Sequence, residues 1–237
     1  MARPYKRVLL KLSGEVLAGG ERSGLNYAEI NGICEQIAIV AKEGVEIAMV
    51  VGGGNFIRGI QEIDRGMERV QADYMGMLAT VINALALQDS LERLGVPTRV
   101  QTAIEMRSIA EPYIRRRALR HLEKGRIVIF AAGTGSPFFS TDTTAALRAS
   151  EINANCLLKA TKVNGIYDRD PVKFPDAKLL PVVGYMDALR MQLRIMDTAA
   201  MSLCMDNKMP ILVFNVLQKD NLTRLLLDGE QIGSVVS

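Results

Sequence analysis

The strongest constraint on the fold is a rhythm. Short β-branched or aliphatic runs without a polar face alternate with longer amphipathic segments. Val8 to Leu12 is followed by Tyr27 to Lys42, and Val45 to Val51 by a helical stretch from about Val70 to Leu94. Thr98 to Thr102 leads to a helix through Tyr113 to Glu123, Ile127 to Ala131 to a helix from Thr143 to about Ile152, and Cys156 to Ala160 comes next. Strands that are apolar on both sides belong to parallel sheets buried between helices, so the alternation predicts an α/β fold around a mainly parallel central sheet.

Punctuation supports this register. Asn26 with Glu29 three residues later has the form of a capping box, and Gly44 and Gly95 stand where helices should stop. Tyr167 to Tyr185 is rich in Pro, Asp and Lys and reads as an irregular excursion. A second set of elements then lies around Met186 to Asn207, Ile211 to Asn215 and Leu222 to Leu227. No repeat or linker divides the 237 residues, so the expectation is a single domain.

Charge narrows the function. Lys and Arg number 29 against 26 Asp and Glu, a net +3 with the signs interleaved, too small an excess to make nucleic acid or an anionic membrane the main partner. No stretch reaches the ~18 uncharged apolar residues of a membrane span, and the expectation is a cytoplasmic protein. Cys34, Cys156 and Cys204 lie far apart in apolar segments and read as buried free thiols. The one histidine, His121, sits among Arg and Lys at helical spacing and reads as a solvated helix residue, which leaves little room for a histidine-based nucleophile or metal site.

In open α/β sheets ligands lie beyond the carboxyl ends of the strands. Three strands there run into small-residue loops: Ser13-Gly14, Gly52-Gly53-Gly54-Asn55 and Gly133-Thr134-Gly135-Ser136. Such loops let backbone N–H groups approach an anion, although a tight turn alone also uses glycine. The chain has no Gly-Lys dipeptide and hence no Walker loop, and Ile57 stands where a dinucleotide fingerprint needs its last glycine.

Lys11 interrupts an apolar strand just before Ser13. It is either a buried ammonium in need of an anionic partner or an edge-strand lysine that snorkels to water. Arg58 follows the triple glycine, and Asp142 follows Ser140-Thr141 at a helix start, where it could serve as an N-cap. Cations beside glycine-rich cradles with a carboxylate to orient them meet the needs of phosphoryl transfer between anionic substrates, a reaction of positioning and charge neutralisation.

Five runs carry a family resemblance: Lys11 to Glu15, Gly52 to Gly59, Asp73 to Thr80, Gly133 to Asp142 and Leu158 to Tyr167. Together they resemble the bacterial uridylate kinase branch of the amino acid kinase family over nearly the whole chain. The strand lysine and triple glycine are general to that family, whereas Met75-Gly76-Met77-Leu78-Ala79-Thr80 and Pro137-Phe138-Phe139 mark the branch. The resemblance implies a three-layer α/β/α sandwich with an acceptor-binding lobe over roughly 1–155 and an ATP-binding lobe over roughly 156–237. The implied activity is phosphorylation of UMP to UDP by Mg2+-ATP, in pyrimidine nucleotide biosynthesis. A homohexamer, activated by GTP and inhibited by UTP, is implied with it.

Carried over residue by residue, Lys11, Arg58 and Asp142 match catalytic positions, with Asp142 organising the basic groups and metal. Lys11, Leu12, Ser13, Gly14, Gly54 and Arg58 match the ATP phosphate site, and Thr161, Tyr167 and Asp170 its nucleoside side. Gly53, Asp73, Thr134, Gly135, Ser136, Pro137, Phe138, Phe139, Ser140 and Thr141 match the UMP site, with Asp73 an acceptor for ribose hydroxyls. For Thr161, Tyr167 and Asp170 the alternatives are a strand-end hydroxyl, a core aromatic and an Asp-Pro turn starter. Mg2+ would be carried largely by the phosphates, so no dedicated protein cage is expected.

Three positions depart from the branch. Gly19 to Gly24 lacks the aromatic residue that relatives carry in the segment linked to GTP, Asn164 replaces Asp, and Ser136 replaces Asn. Two other readings share the fold: a kinase for a small acid, and a non-catalytic nucleotide-binding or oxyanion storage protein. Pro137-Phe138-Phe139 with Asp73 speaks against the first, and Lys11, Arg58 and Asp142 together speak against the second.

Overall fold

The computed structural model describes residues 5–21, 23–57 and 66–237. Arg58 lies outside the described residues. The strands are β1 (Arg7–Leu12), β2 (Glu46–Val51), β3 (Thr98–Thr102), β4 (Glu111–Pro112), β5 (Ile127–Ala131), β6 (Cys156–Thr161), β7 (Val182–Val183), β8 (Ile211–Asn215) and β9 (Ser234–Val236). They form one sheet in the order β4-β3-β5-β2-β1-β6-β8-β9-β7. All neighbours are parallel except β8 and β9.

The helices are α1 (Gly14–Leu17), α2 (Tyr27–Lys42), α3 (Arg69–Arg93), α4 (Arg115–Glu123), α5 (Thr141–Glu151), α6 (Tyr185–Arg190), α7 (Thr198–Asp206) and α8 (Asn221–Thr223), which runs on into a π-helical turn over Arg224–Asp228. Because side chains alternate across a strand, the sheet has two buried faces. Val8, Leu10, Leu12, Met49, Ile129 and Leu158 join a core with α2, α3 and α8. Leu9, Val50, Phe130 and Leu157 join a second core with α4 to α7. The result is the α/β/α sandwich, with strand ends and glycine loops along one edge.

Local chemistry explains most of the boundaries. Asn26 caps α2, accepting from Ala28 N at 3.1 Å and Glu29 N at 3.2 Å. Its own N–H goes to Leu17 O, so only half of the anticipated capping box forms. The first helical residue of α5 is Thr141 rather than Thr143, because the Ser140 hydroxyl takes the cap and accepts from Thr143 N at 3.0 Å. Asp142 is thus inside the helix and not its cap. The stretch anticipated around Met186 to Asn207 is two helices, broken by a left-handed turn at Gln192 (φ 51°).

His121 corrects the sequence reading. It is 9% exposed, because α4 turns Ala118, His121 and Leu122 onto the sheet while its arginines face outward. Its ring nitrogens lie 3.1 Å from Glu111 Oε2 and 3.2 Å from Arg126 Nη1. Cys34, Cys156 and Cys204 are buried free thiols. Among the described residues only α3 is long and apolar enough to cross a membrane. Its inner face, however, carries the buried polar side chains of Thr80 and Asn83.

Candidate active site

The alternation that builds the sheet also builds the site. Lys11 on β1 and Lys159 on β6 are partners in register on central, adjacent strands, and both lie on the face covered by α5. Asp142 projects from the first turn of α5 between them. Lys11 Nζ is 2.9 Å from Asp142 Oδ1, and Lys159 Nζ is 2.9 Å from Asp142 Oδ2. Lys159 also donates to Ile195 O. Side-chain exposures of 10%, 16% and 17% for Lys11, Lys159 and Asp142 make this a buried +1 cluster. Lys11 is therefore no edge-strand lysine.

Burial by itself would raise the pKa of Asp142. The ammoniums of Lys11 and Lys159 outweigh that penalty and hold the carboxyl below its ordinary value. Lys159 is pushed below the ordinary lysine value by burial, with further repulsion from Lys11, while Asp142 pulls the other way. Two cations share one carboxylate.

Beside the cluster, β1 and β2 deliver their loops side by side. A Cβ on Gly14 would lie 2.5 Å from Asn55 Oδ1 and 2.8 Å from both Gly52 O and Gly54 N, so only glycine permits the approach. Ser13 precedes α1 in extended conformation, and its side chain makes no cap bond. Thr141 reaches this cradle, its Oγ1 3.6 Å from where a Cβ of Gly52 would be.

The loop from Gly133 to Ser140 closes the other side. Thr134 and Ser136 form a hydroxyl-to-backbone turn, with Ser136 N donating to Thr134 Oγ1 at 3.3 Å. Phe138 and Phe139 are 66% and 56% exposed at the rim next to Pro137. Asp73 accepts from Phe138 N at 2.8 Å and from Arg69 Nε at 2.9 Å, so the proposed ribose acceptor already braces the loop. The Ser140 hydroxyl donates to Asp197, which also accepts from Thr143 Oγ1 at 3.0 Å.

Past Lys159 opens a cavity of about 600 Å3, lined by Thr161, Tyr167, Asp170, Gln192 and Ile195 among others. Tyr167 is half-buried at its wall and not a core aromatic. The Thr161 hydroxyl is committed to Val163 O at 2.7 Å. Asp170 accepts from Val172 N at 3.0 Å, so it does start a turn while lining the cavity. A hollow of about 650 Å3 at the β4 edge, lined by Glu105, Arg107, Glu111 and Arg117, has no glycine cradle.

The sequence reading missed Lys159 and Asn83. Lys159 carried the same signal as Lys11, a lysine inside an apolar strand. Asn83, fully buried in α3, donates to Gly52 O at 2.6 Å and to Asn55 Oδ1 at 2.7 Å.

Residues 6–215 match the model of the Amino acid kinase family. The chain belongs to that family. Among solved structures it is similar to UMP kinase from Bacillus anthracis, at 39% identity with a TM-score of 0.95, covering 99% of this chain and 97% of that one. UMP kinase from Ureaplasma parvum matches at 35% identity and a TM-score of 0.92, over 100% of both chains. Uridylate kinase from Archaeoglobus fulgidus matches at 25% identity and a TM-score of 0.75, over 97% of this chain and 99% of that one.

Proposed function

We propose that the chain is a UMP kinase, transferring the terminal phosphoryl group of Mg2+-ATP to UMP to give UDP and ADP. The observation that carries this reading is the buried Lys11–Asp142–Lys159 cluster at the meeting point of two glycine loops. Likeness to the solved UMP kinases over the full length supports it.

In this reading ATP lays its phosphates over Ser13, Gly14 and Gly54, with its nucleoside in the cavity lined by Thr161, Tyr167 and Asp170. UMP occupies Gly53, Asp73 and the loop from Thr134 to Thr141. Lys11 and Lys159 then face the equatorial oxygens of the group in flight, where fixed cations in a dry site stabilise the charge that spreads in the transition state. Asp142 keeps both ammoniums aimed. The chain needs no general base, because the attacking phosphate oxygen of UMP is already ionised. Arg58 completes the proposed cationic set.

Asp142 is the cluster's one carboxylate and both its oxygens face ammoniums, a donor set that suits a cation carried by the nucleotide. Mg2+ carried by the nucleotide phosphates would neutralise their charge and orient the group.

Tyr74, Met75, Leu78, Ile82 and Leu85 form an exposed apolar stripe on the outer face of α3, which supports self-association and, with it, the homohexamer. GTP activation and UTP inhibition belong to the same proposal. Gly19 touches the donor side, since Lys162 Nζ donates to its carbonyl oxygen at 3.1 Å.

The test is ADP release from Mg2+-ATP with UMP, CMP, dUMP, N-acetylglutamate and carbamate offered separately, each with an EDTA control. Turnover with UMP, lost in EDTA, is expected. ATP binding without turnover of any acceptor would overturn the reading in favour of a binding protein.

A further inference from the structure

Six non-glycine residues among those described have positive φ. Asn153, Gln192, Lys208 and Asp220 stand at helix ends, where a left-handed residue is an ordinary terminator or lead-in. Ala132 (φ 60°) and Phe138 (φ 72°) do not. Ala132 leads into the loop assigned to the acceptor nucleotide and Phe138 lies in it, and the N–H of each is held by a side chain of one helix, α3. Ala132 N donates to Thr80 Oγ1 at 2.8 Å, and Phe138 N donates to Asp73 Oδ2 at 2.8 Å. The two side chains are seven residues apart, two turns along a single face.

The same face grips the donor cradle. Asn83, three residues beyond Thr80, pairs with Asn55 in a reciprocal amide bridge of 2.7 and 2.9 Å and also donates to Gly52 O at 2.6 Å. Asn55 carries the bridge outward, donating to Gly24 O at 2.7 Å. Between these grips the helix narrows: a Cβ on Gly53 would lie 2.6 Å from Gly76 O and 2.9 Å from Ala79 Cβ. The run Met75 to Thr80 thus gains a structural meaning. Its small residues let the donor loop rest on the helix, and its threonine anchors the acceptor loop.

We infer that Thr80 and Asn83 are positioning residues, and that α3 is the common mount that sets the separation of the donor and acceptor phosphates. Neither side chain is assigned to a substrate. Each instead fixes a backbone segment that would otherwise leave its strained or crowded conformation. The inference rests on the kinase reading for its consequence in turnover, but not for its structural content. Transfer between two bound phosphates is steeply sensitive to their distance, so a loop displaced by an ångström lowers kcat more than it changes KM.

The test uses the full-length protein with Thr80→Val, which keeps volume and loses the hydroxyl, Thr80→Ser, which restores it, and Asn83→Leu. Steady-state kinetics in each nucleotide are joined to hydrogen exchange on the peptides covering 52–56 and 130–139. Thr80→Val should lower kcat about tenfold and Asn83→Leu about 100-fold, with each KM within about threefold of the parent, and Thr80→Ser should recover most of the loss. Exchange should quicken at 130–139 in Thr80→Val and at 52–56 in Asn83→Leu, with β6 and β8 unchanged. Unaltered loop exchange in both would overturn the inference, whatever the parent's activity. So would a parent-like kcat in variants that only melt earlier. A parent protein inert toward UMP would instead remove the kinase reading and leave exchange to decide.

Discussion

Lys11 and Lys159 are paired in register on β1 and β6, and each places its ammonium 2.9 Å from a different oxygen of Asp142. Two like charges are brought together in a buried place, and a single carboxylate holds them there. A structure that needed only stability would avoid this arrangement, since a buried pair with an extra cation gains little over apolar packing. In the proposed reading, the phosphates of the substrates supply the missing negative charge.

Asp142→Asn therefore removes the carboxylate that both ammoniums contact. At pH 7 the variant should lose about 3 kcal/mol of stability and at least about 100-fold in kcat. The folded carboxyl titrates below its ordinary value, so its contribution is present above that value and is lost as pH falls through the folded pKa. Urea titrations at pH 7 and near pH 3 should show the gap between parent and variant closing on the acid side. A gap independent of pH would contradict the account.

Lys159 titrates low because of its burial and then the Lys11 charge, so it loses its proton below the lysine value of 10.5. The free enzyme's kcat/KM should fall on the alkaline side below that value, and Lys159→Arg should move the limb upward at a lower maximum. Stability runs the other way. The unfolded chain binds this proton more tightly, so between the folded pKa and 10.5 the group makes stability rise with pH. An alkaline limb unmoved in Lys159→Arg would assign it to another group.

Most of the scaffold is legible in the sequence because buried parallel strands are continuous apolar runs. Residues 98–102, 127–131 and 211–215 emerge with the ranges of β3, β5 and β8. The edge strands β4 and β7, and β9 beside β7, span two or three residues and have no period to detect. His121 misleads because its arginine neighbours define a polar surface, while its own position at i+3 from Ala118 points inward. Lys11 is legible as an interruption of an apolar strand. Its partnership with Lys159 is not, since it depends on which strand lies beside β1. The bonds of Thr80 and Asn83 to loops far away in the chain are long-range facts that no local pattern encodes.

Glycine positions separate close approach from free space. Gly53→Ala drives a Cβ against Gly76 O at 2.6 Å and should cost about 1–3 kcal/mol, with turnover lost as the cradle moves. Gly32, within α2 and with nothing within 4 Å of its Cβ, should gain about 0.5–1 kcal/mol on Gly32→Ala. Denaturant midpoints with matched m-values decide both. A stable, active Gly53→Ala would sink the close-packed loop.

The outer face of α3 exposes Leu78 and Ile82 to 51% and 48%. If it is an assembly surface, the parent sediments as an oligomer and the Leu78→Glu, Ile82→Glu double variant as a smaller species. A monomeric parent at working concentration would contradict this use of the face.

The central claim is that the lysine cluster transfers a phosphoryl group from ATP to UMP, and the most direct measurement is UDP formation followed by phosphorus NMR. Parent protein and Lys11→Ala are compared with Mg2+-ATP and UMP. The account predicts UDP and ADP in equal amounts from the parent and none from a folded Lys11→Ala. A parent that yields no UDP, or a Lys11→Ala protein that yields it at the parent rate, would contradict it.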